Sequence, residues 1–244
     1  MSVDLLLILI VGLIAGTISG IVGFGSSIMM MPILVLVYGP RQAVPIMAIA
    51  AFMANISRIM VWWREIDWRA CAAYSITGLP AAALGARTLL LLPPRVIEIA
   101  LGVFFISMIP IRRWMAARNI KITLWHLALV GLVIGYITGI VVTTGPITTP
   151  VFLAYGLVKG AFLATEAAGS LAVYLSKVSV FRAFGALPLP VITEGLVVGS
   201  ALMGGAFIAK KFVLKMDLHQ FRLLMELLML ASGLLMLWSA FDMG

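Results

Sequence analysis

Two glycine-rich segments in an otherwise apolar chain constrain the fold most strongly. The first, GLIAGTISGIVGFGSSIMMMP, runs from Gly12 to Pro32, and the second, GLVIGYITGIVVTTGPITTP, runs from Gly131 to Pro150. Each places three glycines at four-residue spacing and then loses its apolar pattern in a short run of glycine and hydroxyl residues. Because a repeat of this length shapes a whole fold, we predict that the chain consists of two related halves.

The composition places both segments in a membrane. Of the 244 residues, 63% are hydrophobic and 11% are charged, whereas a soluble domain carries roughly 25% charged residues. The start of the chain lacks the basic region and small-residue cleavage site of a signal peptide, so we interpret it as a retained first helix. The single cysteine, Cys71, excludes an internal disulfide. We therefore predict a multi-pass protein of the cell (inner) membrane.

The apolar pattern predicts an all-α integral membrane fold with eight long and two short segments. We expect two repeats, residues 1–117 and 118–244, each opened by a broken or half-helix. The shorter segments, 25–38 and 146–158, fall below the roughly 20 residues that a full membrane crossing needs. The ten predicted segments are 3–22, 25–38, 42–63, 70–91, 94–111, 123–142, 146–158, 160–183, 189–209 and 217–241.

The distribution of Lys and Arg predicts how these segments cross the membrane, because cytoplasmic loops carry an excess of basic residues. Setting aside Arg58 and Lys177, which lie within segments, leaves 15 of the 17 basic residues. If each broken segment crosses once, these residues divide seven to eight and favour neither orientation. If each broken segment turns back, eleven lie on one side and four on the other. We therefore predict inverted repeats of five segments, with both termini on the non-cytoplasmic side.

The two breaks are candidate anion sites. Unwound backbone exposes N–H groups, and the helix that follows each break adds the positive end of its dipole. The alternative is that the glycines only allow close helix packing. We assign packing to the glycines at four-residue spacing and binding to the breaks, since Pro146 favours a new helix start. The predicted binding residues here are Gly23, Gly25, Ser26, Ser27, Thr143, Thr144 and Gly145, with further hydroxyls at Thr148 and Thr149.

Two cations, Arg58 and Lys177, lie at corresponding positions inside segments of the two halves. Charge inside a membrane is costly and indicates function, and two such cations would suit an oxyanion. Asn55 lies one helical turn before Arg58 and joins the predicted site. The alternative is that both long side chains reach the membrane surface by snorkelling.

One carboxylate, Glu166, is a candidate for proton coupling. Helical spacing puts Glu166, Ser170 and Lys177 on one face, so Ser170 and Lys177 join the predicted binding residues. The alternative for Glu166 is an ion pair with a neighbouring cation.

Catalysis is not expected from this sequence. His126 and His219 are isolated, and the chain has neither an H-x-x-x-H pair nor a G-x-S-x-G nucleophile motif. The net charge of +8 is interpreted as a topology signal rather than as a nucleic-acid surface. We expect no cofactor, no metal and no nucleic acid. The expected partners are a small anionic substrate and the lipid bilayer, and both a monomer and a homodimer stay open.

The residues resemble the TauE/SafE family of sulfite exporters over nearly the whole chain. The resemblance lies in GIVGFGSSIMMMP with the helix ending near Asn55, and in WWREIDWRACAAYSITGLPAAALGARTLLLLPPRVIEIALGVFFI. Glu65 to Trp68 stand at the family's D-W loop, and Leu79 to Gly85 at its P-G-x-x-x-G helix. The family's breaks usually read G-x-G-G-G, whereas here Ser26 and Ser27 replace the later glycines. The second break, TTGP, departs further from this pattern.

The resemblance implies transport of small sulfur-containing anions or organic acids, including sulfite, sulfoacetate and related organosulfonates. The leading hypothesis is a secondary transporter with alternating access between inverted halves. The alternatives are an anion channel with the same site, a transporter of small carboxylates, and a membrane protein without transport.

Overall fold

The structure of this chain is a computed structural model. It describes residues 3–22, 24–118, 121–141, 145–212, 226–227, 230–231, 233–238 and 240–241. Within these residues every regular element is helical, so the predicted all-α class is confirmed for them.

In the described residues up to Phe212, nine α-helices follow one another with short connections, and a 3-10 turn, Trp63–Glu65, extends the third helix. The helices are α1 (Val3–Val22), α2 (Ser26–Tyr38), α3 (Pro40–Trp62), α4 (Trp68–Leu91), α5 (Pro94–Ala116), α6 (Leu124–Ile140), α7 (Gly145–Ala154), α8 (Lys159–Ala183) and α9 (Leu189–Phe212).

The helix boundaries agree closely with the apolar segments, because glycine, proline and capping residues end or begin each helix. Gly25 adopts a φ of 116° and separates α2 from α1, a conformation that glycine adopts at little cost. The Asp67 carboxylate accepts hydrogen bonds from two N–H groups at the start of α4. The predicted segment 146–158 was too long, since α7 ends at Ala154 and Gly156 adopts a φ of 109°. The predicted segment 217–241 falls largely outside the described residues.

One end of the helix bundle gathers three connections, and we call it the Pro40 end. One pocket of about 320 Å³ is lined by Pro40, the first residue of α3, and by Leu92 and Pro188, from the α4–α5 and α8–α9 connections. The α2–α3, α4–α5 and α8–α9 connections therefore lie on the same side of the protein.

The opposite end, which we call the Trp63 end, gathers the α3–α4, α5–α6 and α7–α8 connections. The Asp67 N–H donates to the Thr165 hydroxyl over 2.9 Å, which joins the α3–α4 connection to the start of α8. The Ile122 N–H donates to the Ala154 carbonyl over 3.3 Å, which joins the start of α6 to the end of α7. The 23 residues of α3 connect the two ends, and at 1.5 Å per residue they span about 34 Å. That distance matches the roughly 30 Å hydrocarbon core of a bilayer.

Glycines bring α1 against α9. A Cβ atom added to Gly16 would lie 2.2 Å from the Leu202 carbonyl oxygen, and one added to Gly20 would lie 2.9 Å from the Ala206 Cα. Gly12 faces Ala201 in the same way. Only glycine permits this approach, so the packing role predicted for these glycines is confirmed.

A second glycine contact joins α4 to α6. A Cβ atom at Gly85 would lie 2.1 Å from the Tyr136 carbonyl oxygen, and one at Gly135 would lie 2.5 Å from the Gly78 carbonyl oxygen. A Cβ atom at Gly131 would lie 2.2 Å from the Tyr74 carbonyl oxygen. The glycines of the second segment therefore also serve helix packing, as predicted.

The outer surface is that of a multi-pass membrane protein. In the described part, Pro40–Glu65, Pro94–Ile111 and Leu189–Ala209 are long and apolar enough to cross a membrane, and several shorter helices are apolar. Large apolar side chains point outward, including Ile76 and Leu91, which are 73% and 79% exposed. At the Trp63 end, tryptophans are exposed in the manner of an interfacial belt: Trp63, Trp68, Trp114 and Trp125.

Candidate substrate site

The two chain breaks meet inside the bundle. Phe24, in the first break, lies so close to Gly145 that a Cβ atom there would be 2.3 Å from the Phe24 Cβ. A cavity of about 30 Å³ lies beside this contact and reaches Ala51, the midpoint of α3. This space is far below the roughly 300 Å³ of pockets for drug-sized ligands. The cavity is lined by Ser19, Phe24, Gly25, Ser26, Ser27, Ala51, Ala54, Asn55, Arg58, Tyr74, Thr138, Gly145, Glu166, Ser170, Val173 and Tyr174.

The start of α2 forms one wall of the cavity. Ser26 and Ser27 occupy its first two positions and are 7% and 3% exposed. The Met29 N–H donates to the Gly25 carbonyl over 3.1 Å in the first turn of the helix. The N–H groups of the first turn point towards the start of a helix, where the dipole is positive. This wall therefore favours a negative charge in the cavity.

Arg58 supplies the cation of the site. It lies on α3 one turn after Asn55, and its side chain is buried. Its Nη1 donates to Glu166 Oε2 over 2.8 Å, and its Nη2 donates to Asn55 Oδ1. Because the guanidinium is held inside the bundle by these partners, the snorkelling alternative for Arg58 is wrong.

Glu166, on α8, is the carboxylate that faces Arg58. Besides the ion pair, its Oε1 accepts from Ser170 over 2.8 Å and from Thr148 over 3.3 Å. The residue is 3% exposed. Glu166 therefore forms an ion pair in this structure, as the alternative interpretation of this residue expected. Its partner, Arg58, comes from α3, 108 positions earlier in the chain. Burial of this pair costs desolvation energy, which the surrounding hydrogen bonds offset in part.

Lys177 lies apart from the cavity. It is fully buried, so the snorkelling alternative is wrong here too. Its ammonium donates to the Thr138 carbonyl over 2.8 Å and to the Val141 carbonyl over 3.1 Å. These carbonyls belong to the last turn and the C-cap of α6, where the helix dipole is negative. The two predicted cations thus do not converge on one point, since Lys177 binds the backbone that precedes the second break.

The predicted site residues divide into three groups. Gly25, Ser26, Ser27, Asn55, Arg58, Gly145, Ser170 and the coupling candidate Glu166 line one cavity. Lys177 does not line it. Gly23, Thr143 and Thr144 lie outside the described residues.

Four further polar residues line the cavity but were not expected from the sequence: Ser19, Tyr74, Thr138 and Tyr174. Tyr74 and Tyr174 are 1% and 5% exposed, and Thr138 is 3% exposed. Buried tyrosines bring a polar hydroxyl into an apolar helix and usually give it a hydrogen-bond partner. The two tyrosines in otherwise apolar segments were therefore the sequence signal that could have indicated these cavity residues.

The fold and the cavity define a multi-pass membrane protein that encloses a small polar site between two broken segments. The chain belongs to the TauE/SafE family: residues 8–236 match the family described as Sulfite exporter TauE/SafE. Comparisons with curated proteins and with solved structures give no match. Membership implies membrane transport of an anion of the sulfite type.

Proposed function

We propose that the chain is a secondary transporter of sulfite, sulfoacetate or a related organosulfonate in the inner membrane. The observation that carries this proposal is a buried guanidinium, Arg58, in the same small cavity as the start of α2. Arginine presents a planar set of N–H donors that matches oxyanions. The N–H groups and hydroxyls of Ser26 and Ser27 provide further donors for sulfonate oxygens.

The shape of the site favours a transporter over a channel. The cavity between the helices has a volume of only about 30 Å³, whereas a channel needs a continuous pore. A carrier instead encloses its substrate and opens to each side in turn. The small volume also favours compact anions over larger organic acids.

The helix contacts support alternating access between two inverted repeats, residues 1–117 and 118–244. In this scheme α1 to α5 correspond to α6 to α9 and the segment that follows. The contact of α1 with α9 then corresponds to that of α6 with α4, and the contact of α3 with α9 to that of α8 with α4. The eleven-to-four division of basic residues favours the same scheme.

Transport measurements in proteoliposomes test the proposal. We expect uptake of sulfite and sulfoacetate by the wild-type protein and a loss of at least tenfold in Arg58→Ala. Arg64→Ala is the matched control, because Arg64 is exposed near the same end of α3 and stacks on Trp63 at 5.3 Å. Arg58→Lys, which keeps the charge but not the planar donors, should retain partial uptake. Full uptake by Arg58→Ala would contradict the proposed site.

A further inference from the structure

Arg58 already has an acidic partner, Glu166, in the cavity, and this ion pair bears on how transport is driven. We propose that the substrate anion displaces Glu166 from Arg58 and that Glu166 then takes up a proton, so that one anion and one proton cross together. This inference rests on the proposed function, because it concerns the same site.

The charge balance of the cavity is the first argument. Arg58 and Glu166 are joined over 2.8 Å, and their side chains are 9% and 4% exposed. As an ion pair they carry no net charge. An added anion would leave a net negative charge in a buried site, which is strongly unfavourable. Protonation of Glu166 removes that charge and leaves Arg58 to pair with the anion.

The neighbours of Glu166 suit both of its protonation states. Ser170 and Thr148 donate hydroxyl hydrogens to Oε1 in this structure. A hydroxyl can also accept, so either residue can take the O–H of a protonated carboxyl group. Arg58 can only donate. The carboxyl group therefore keeps hydrogen-bond partners after the ion pair with Arg58 has opened.

Glu166 is the only carboxylate among the described residues that line the cavity. The elements packed against α8 bring few other ionisable groups towards it, and α6 and α7 bring only hydroxyls and carbonyls in the described part. Lys177, on α8 itself, is bound to carbonyls of α6. The charged or titratable groups on α8 and on the elements packed against it near Glu166 are Arg58, Glu65, Asp67, Tyr74, Tyr174 and Lys177.

The proposed transport cycle balances in charge and in protons. On one side of the membrane the anion binds Arg58, and a proton from the aqueous phase binds the carboxylate of Glu166. On the other side both leave, and the Arg58–Glu166 ion pair forms again. The loaded and empty forms then differ by one monovalent anion and one proton, so transport of that anion moves no net charge.

Methanesulfonate is the probe for this coupling, since it carries one negative charge throughout the assay and cannot itself deliver a proton. In proteoliposomes with a pH-sensitive dye inside, we expect one proton to enter with each methanesulfonate. The wild-type Kd should rise with pH, by up to about tenfold per pH unit, because binding is linked to the uptake of one proton. Glu166→Gln should bind methanesulfonate independently of pH, exchange it across the membrane, and lose proton entry. Glu65→Gln, an exposed change of the same kind, is the control and should behave like the wild type.

Two outcomes separate the coupling from the proposed function. Methanesulfonate uptake by the wild type without proton entry, together with a pH-independent Kd, would overturn the coupling and leave the transporter assignment intact. Absence of binding and uptake of methanesulfonate by the wild type would overturn the proposed substrate class and the coupling with it. Both outcomes are read from the wild-type protein and hold even if Glu166→Gln does not fold.

Discussion

The contact between α1 and α9 gives the sharpest stability prediction, because two adjacent glycines of α9 face very different surroundings. A Cβ atom at Gly205 would lie 2.2 Å from the Leu13 carbonyl oxygen and 2.5 Å from the Thr17 backbone nitrogen. A Cβ atom at Gly204 would have one neighbour within 4 Å, the tip of the Leu13 side chain at 3.4 Å. Alanine at these two positions therefore tests close packing with a built-in control.

The expected loss of stability in Gly205→Ala follows from the lack of space for a Cβ atom. An ordinary carbon contact is roughly 3.5 Å, so Gly205→Ala forces α1 and α9 apart by about 1 Å. Overpacking of this kind costs about 1–3 kcal/mol. Both variants gain up to about 1 kcal/mol of helix propensity relative to glycine, and this gain cancels in their difference. Gly205→Ala should therefore be less stable than Gly204→Ala by about 1–3 kcal/mol.

Reversible unfolding in mixed micelles of increasing SDS content, followed by tryptophan fluorescence, measures that difference. The wild-type protein should fall between the two variants or close to Gly204→Ala. Free energies of unfolding for the two variants that agree within about 0.5 kcal/mol, the usual range of neutral surface changes, would refute close packing at Gly205.

Two further predictions concern the buried lysine and the topology. Lys177→Met leaves two carbonyls at the end of α6 without their donor and should lower the free energy of unfolding by about 1–3 kcal/mol. The control variant Lys121→Met, at an exposed position, should change the free energy of unfolding little. Equal stability of the two variants would contradict the role of Lys177. In a Cys71→Ala background, cysteines introduced at Gln42 and Val158 should react with membrane-impermeant reagents from opposite sides of the membrane. Reaction from the same side would contradict the assignment of these positions to the Pro40 end and the Trp63 end.

Much of the fold could be predicted from the sequence, because membrane helices depend on local composition. Most of the apolar segments are long, and their limits are set by residues such as Gly25 and Pro40 that break or start helices. The packing of Gly16 and Gly135 could also be predicted from small-residue spacing. Which helix each glycine meets could not, since spacing within one helix carries no information about its partner.

The site could be predicted only in parts. Arg58 with Asn55, and Glu166 with Ser170, were each found from charge and helical spacing. Their meeting depends on the packing of α3 against α8, which no local pattern encodes. Lys177 shares a helical face with Glu166, but a face extends over many turns, so two residues on it need not reach the same site. Its ammonium reaches the end of α6 instead, because unpaired carbonyls at a helix end attract a buried cation.

The location of a bound anion tests the central claim most directly. Selenite has the shape and charge of sulfite, and its heavier atom can be located by anomalous scattering in crystals of the protein. We predict a selenium peak in the cavity, within hydrogen-bonding reach of Arg58 through the anion's oxygens and next to the start of α2. A peak only at the pocket beside Arg41 at the Pro40 end, with the cavity empty, would contradict the account.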